Sequence, residues 1–156
     1  MRVFGKTMSY WHEKYGGTLY GFLAFVLFLV VIKPECYSYK KLIQEFPSIG
    51  MCAFGFMLTF LGVILQGDSS TIQHMKSRQI LYDKFIAYNR IVAILSLIIS
   101  IYSYIIGYMG INSKISSVIP YYSYFKDVFV ALFWGLATKL LVDTYIFVKL
   151  FYLLLK

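Results

Sequence analysis

The sequence predicts an all-α integral membrane protein: a four-helix bundle with a cytoplasmic helical extension before its third span. Three observations carry that prediction. Of 156 residues, 60% are hydrophobic and only 14% charged, with a mean hydropathy of +0.70. A soluble domain is nearer half apolar and a quarter charged, and a small one has too much surface to hide the excess. The apolar residues are also gathered into runs close to the roughly 20 residues that a helix needs to cross a hydrocarbon core. Finally, the breaks between runs carry helix stop and start signals.

The runs are residues 15–32, 46–67, 91–113 and 128–148; the first three are uncharged and the fourth is interrupted by Lys139 and Asp143. The first ends at Lys33-Pro34 with no small-x-small cleavage site, so it is expected to remain as a span. Pro47 is placed at the start of the second helix, where a missing N–H does no harm. Gly67-Asp68-Ser69-Ser70 breaks the chain after it. Ser70 with Gln73 matches a capping box, and the helix beginning there is expected to run through Met75, Arg78 and Tyr82 directly into the third span. Pro120 lies in the link before the fourth. No repeat, low-complexity tract or long linker divides residues 1–156, which read as one domain.

Orientation follows from the basic residues. Arg2, Lys6, Lys14, Lys76, Arg78, Lys84, Arg90, Lys149 and Lys156 fall on one side; Lys33, Lys40, Lys41, Lys114 and Lys126 fall on the other. The richer side is the cytoplasmic one. Both termini and the middle loop are therefore expected in the cytoplasm, with the chain in the cell (inner) membrane. Tyr10, Trp11 and Tyr15 are placed as anchors inside, and Tyr121, Tyr122 and Tyr124 outside. The net charge of +8 suits anionic headgroups. Direct nucleic-acid binding is disfavoured, because no segment has the pattern of a nucleic-acid module.

Two spans carry small or polar residues at alternating spacings of three and four. They are Ser48, Cys52, Gly55, Thr59, Gly62 and Gln66 in the second, and Ala93, Ser96, Ser100, Ser103, Gly107 and Gly110 in the third. Each set forms one stripe, and such stripes let helices approach closely in lipid. Spans two and three are thus expected to pack on each other within one chain. Two alternatives stand: that Ser96, Ser100 and Ser103 face a water path in an oligomer, or that the stripes join subunits.

Lys139 and Asp143, four apart, share a helix face and can pair. Ionisable groups within spans face protein or water. The pair is either mutually neutralised in the bundle, with Lys139 able to snorkel if it lies near the cytoplasmic end, or it is a gate, an ion-path element or an inter-subunit contact. In the elbow, residues 70–90, Leu81, Phe85, Tyr88 and Val92 make an apolar face, while Lys76, Arg78, Lys84 and Arg90 supply charge. That pattern suits headgroups or a soluble cytoplasmic protein partner.

Cys36 and Cys52 set no disulfide framework; Cys52 reads as a small packing residue. His12 and His74 lack metal-site spacing, and no cofactor motif or convergent catalytic set is present. An enzyme is not expected. The expected function is a homo-oligomeric membrane scaffold or sensor subunit that recruits a cytoplasmic partner. One alternative is an oligomeric ion-conducting pore that depolarises the membrane; another is an accessory subunit of a larger membrane complex.

At Gly55-Phe-Met-Leu-Thr-Phe-Leu-Gly-Val, followed by Gly67-Asp-Ser-Ser-Thr-Ile-Gln and Arg78-Gln-Ile-Leu-Tyr, the chain resembles small four-span proteins of bacterial anti-phage systems. Its layout is similar to that of Kiwa-type membrane subunits. The resemblance covers the central half of the chain and lies in layout. It implies a homo-oligomer that recruits a soluble effector, with residues 70–90 as the docking segment, and it carries over no catalytic residue.

Overall fold

The computed structural model describes residues 3–32, 40–68, 70–111 and 122–155. Arg2, Lys33, Pro34, Cys36, Ser69, Lys114, Pro120, Tyr121 and Lys156, which enter the sequence argument, lie outside the described residues. Among the described residues, all but Gly67, Asp68 and Arg78 are helical and none forms a strand. Helix α1 spans Val3–Leu27 and ends in a wider π turn, Phe28–Ile32. It is followed by α2 (Lys40–Gln66), α3 (Ser70–Ser77), α4 (Gln79–Ile111) and α5 (Tyr122–Leu155). Three stretches are long and apolar enough to cross a membrane: Ile43–Gln66, Gln79–Gly107 and Asp127–Leu153. Helix α1 contributes a shorter apolar stretch, Tyr15–Val31.

Helices α4 and α5 pack together at the centre; α2 flanks α4 and α1 flanks α5. Short α3 lies across α4 and α5. Two apolar clusters fill the contacts. Near the elbow, Met57 and Ile64 of α2, Met75 of α3, Phe85 and Val92 of α4, and Phe147 and Leu150 of α5 are buried together. Aromatic rings tie three helices there: Phe85 stacks on Phe147 at 4.9 Å, and Phe60 meets Phe85, Phe147 and Phe151 edge-on. Such offset and edge contacts suit the ring quadrupole. Towards the other end, Ile43, Leu95, Ile99, Ile106, Val130 and Phe133 form the second cluster. Phe46 packs edge-on against Phe133 at 5.1 Å.

Two boundaries differ from the sequence reading, each for a backbone reason. Helix α2 begins at Lys40, so Pro47 is inside it. Proline has no N–H and cannot bond the carbonyl of residue 43. The Ser103 hydroxyl of α4 donates to the Ile43 carbonyl instead, at 2.5 Å. The elbow does not run straight into α4, because the helix breaks at Arg78. There Ser77 Oγ donates to the His74 carbonyl, and Arg78 N–H bonds Met75 only one tight turn back. Leu81 and Tyr82 then restart the ladder on the Arg78 carbonyl. At the start of α3, the Gln73 amide donates to the Asp68 carbonyl, two residues before Ser70.

The third-span stripe faces into the bundle and the second-span stripe faces out. Ala93, Ser96, Ser100 and Ser103 are buried and Gly107 is half-buried. Helix α2, however, meets α4 through Ile43, Gly50 and Met57, and buries Ile64 as well. These positions recur every seven residues, one helix face. Ser48, Cys52, Gly55 and Thr59 are exposed, and Gly62 is half-exposed, about half a turn away from that face. Ser103 and Gly107 of α4 thus receive Ile43 of α2, whereas at Ser100 the facing residue of α2 is Gly50.

Helices α1 and α5 cross at two glycines. A methyl group at Gly135 would sit 2.9 Å from the Gly21 carbonyl oxygen, and one at Gly21 would sit 2.8 Å from the Gly135 carbonyl oxygen. Both obstacles are backbone and cannot swing aside. Gly135→Ala should therefore lower stability by about 1–3 kcal/mol through forced separation of the helices. Gly107→Ala meets nothing nearer than 3.8 Å and should be neutral or slightly stabilising, as alanine favours a helix by up to about 1 kcal/mol. Thermal unfolding in mild detergent checks the contrast; equal losses would remove the crossing argument.

Candidate functional site

Close to that crossing lies a largely buried ion pair. Lys139 and Asp143 are one turn apart on α5, and Lys139 Nζ donates to Asp143 Oδ2 at 2.8 Å. The Asp143 side chain is 5% exposed and that of Lys139 27%. Helix α1 completes the surroundings. Lys139 Nζ also lies 3.3 Å from Thr18 Oγ1. Gly17 leaves the room that the carboxylate occupies, since a methyl there would overlap Asp143 Oδ1. The Gly21 position faces Lys139 Cβ. Lys14 and Glu13 are the last charged residues of α1 before its apolar stretch. Gly17 is three residues beyond Lys14, about 4.5 Å along the axis. The pair thus meets α1 about one turn past the last charged positions in its sequence.

Chemically, this is a neutralised pair with its cation turned outward. Coulomb attraction in low dielectric is strong, but so is the cost of removing each ion from water. Sequence reasoning found the pair and missed its lining. Gly17, Thr18 and Gly21 recur at spacings of one and three, a signal that could have marked the face of α1 that meets α5.

The elbow cations have acceptors inside the chain. Lys76 Nζ donates to the carbonyls of Leu65 and Gly67, at 3.4 and 3.2 Å, at the end of α2. Arg78 donates to the Leu153 carbonyl at the end of α5, at 3.2 Å. Cations at helix C-termini satisfy orphan carbonyls and oppose the dipole. Of the other two, Arg90 and Lys84 are exposed. The apolar face of the elbow is turned inward: Phe85 and Val92 are buried, Leu81 and Tyr88 half-buried. It packs into the chain's own core.

The serine hydroxyls are likewise engaged. Ser96 donates to the Ala93 carbonyl at 2.8 Å, Ser100 to the Ser96 carbonyl at 2.7 Å, and Ser103 to Ile43 of α2. Gly50 of α2 lies directly over Ser100 and the Ser96 carbonyl. One buried polar side chain escaped the sequence reading. Asn89 is fully buried; its amide donates weakly to Met57 Sδ at 3.6 Å, and its Oδ1 has no hydrogen-bond partner. Its place four residues after Phe85, on the apolar face of the elbow, was the available signal. Among the described residues, no group of His, Cys, Asp or Glu is arranged to hold a metal ion. Cys52 is a free, exposed thiol on the outer face of α2.

No family model, curated protein or solved structure matches the chain.

Removing one member of the charge pair strands the other. Lys139→Met or Asp143→Ala should each cost about 3–5 kcal/mol, whereas the double replacement should recover most of that loss. Alanine at 143 removes the carboxylate without adding bulk against Gly17. Unfolding of the two single variants and the double variant in detergent measures the coupling. Additive losses would mean that the charges act separately.

Proposed function

We propose that the chain is a four-span protein of the cell (inner) membrane, with both termini and the elbow in the cytoplasm, acting as a self-assembling scaffold or sensor subunit. The outward side chains support membrane residence. Leu19, Phe22 and Val30 of α1, Phe56 and Val63 of α2, Ile98 of α4 and Leu141 of α5 are all exposed. Apolar cover on that scale suits lipid, not water. Tyr15–Val31 is at the short end of what a span requires.

Self-assembly rests on one observation, the outward stripe of α2. Ser48, Cys52, Gly55 and Thr59 leave that face nearly flat, and a Cβ added at Gly55 or Gly62 meets nothing within 4 Å. Thr59 already satisfies its hydroxyl on the Gly55 carbonyl at 2.9 Å. A smooth face of this kind suits close approach of another helix in lipid, here the same face of a second copy. The alternative of a pore has less support, because the serine hydroxyls that would line a water path are bonded within the α2–α4 contact. Recruitment of a soluble partner is the remaining part of the reading. On the resemblance to Kiwa-type subunits, the partner would be an effector in anti-phage defence. With Lys76 and Arg78 engaged in helix capping, exposed Arg90 is an elbow cation that such a partner would meet.

The glycines separate assembly from folding. Gly55→Leu with Gly62→Leu should convert the oligomer to monomer in mild detergent while leaving thermal unfolding of the monomer unchanged. Gly50→Leu should instead unfold the chain, since any side chain there strikes Ser100. An unchanged oligomer mass in the first variant would end the α2-stripe reading. Topology is read separately: a cysteine replacing exposed Ser77 should resist an impermeant thiol reagent applied to intact cells, and labelling would reverse the orientation.

A further inference from the structure

We infer that Pro47 is a hinge in α2 and that Ser103 is the catch that holds it, so that the first two turns of α2 are carried by α4. Pro47 interrupts the ladder of α2 at the one carbonyl, that of Ile43, that residue 47 would otherwise bond. Ile43 is 2% exposed and Ser103 is fully buried, so water does not compete for either group. Of the three buried serines of α4, Ser96 and Ser100 turn back onto their own helix. Ser103 alone reaches across to α2.

The remaining contacts of this segment also bypass the proline. Ile43 and Gln44 lie against the Gly107 position of α4, and Phe46 lies against Phe133 of α5. Just beyond Pro47, Gly50 is pressed onto Ser100 and the Ser96 carbonyl and gives a fixed pivot. The other end of α2 is held by Lys76. Release at Ser103 leaves residues 40–46 held by those side-chain contacts alone, so that this segment opens about Pro47 more readily while the rest of α2 stays docked. This device stands whether or not the chain self-assembles.

Hydrogen exchange of the full chain in mild detergent tests it. Ser103→Ala should speed exchange across residues 40–50 by about tenfold or more, as expected for a buried carbonyl left without a donor. Exchange in the buried part of α5 should not change. Ser103→Thr and Ser100→Ala should behave like the parent. Pro47→Ala combined with Ser103→Ala should return exchange to the parent rate, because residue 47 then supplies its own N–H. Pro47→Ala alone should slow exchange, which keeps the test open if Ser103→Ala fails to fold. Unchanged exchange in Ser103→Ala, no rescue by Pro47→Ala, or acceleration spread equally into α5 would each overturn the catch.

Discussion

A backbone carbonyl that its own helix cannot satisfy must find another donor, and the places where this happens organise the molecule. Helix α2 has such carbonyls at both ends. Ile43 loses its donor to Pro47 and takes one from Ser103; Leu65 and Gly67, at the other end, take theirs from Lys76. Arg78 does the same for Leu153 at the end of α5. Each donor belongs to α3, α4 or the bend between them. That continuous unit acts as a brace, holding α2 by its two ends and α5 by one.

Packing follows from the brace. Once Ser103 faces Ile43 and Lys76 reaches Gly67, the rotation of α2 is set, and Gly50 falls on Ser100 while Met57 falls beside Asn89. The Ile43–Ser103, Gly50–Ser100 and Met57–Asn89 pairs keep one antiparallel register along the α2–α4 contact. The face of α2 richest in small residues is left outside as a consequence. Helix α1 uses a different solution, a close crossing of Gly21 with Gly135 that leaves no room for side chains.

The charges obey the same economy. Lys139 and Asp143 neutralise each other under cover of Gly17, and the elbow cations oppose helix dipoles. Basic residues that look like a docking surface in one dimension are in part the fasteners of the fold. Their replacement would loosen the elbow itself, so loss of a partner after such a change would need a folding control.

The sequence by itself determined the helical class, the approximate extent of the apolar runs and the chemistry available at each position. Composition and run length are local properties, and each helix satisfies most of its backbone internally. It also placed Lys139 beside Asp143, because four residues span one turn. Tertiary structure alone decided which stripe of α2 turns inward. Both stripes have helical periodicity, and periodicity carries no label for the partner. The same holds for Pro47, read as a helix start because a proline inside a helix is costly alone; a serine 56 positions later removes the cost. Likewise, nothing near Lys76 or Arg78 in the sequence marks the distant carbonyls they satisfy. Donors and acceptors far apart in the chain are matched only when the helices are brought together.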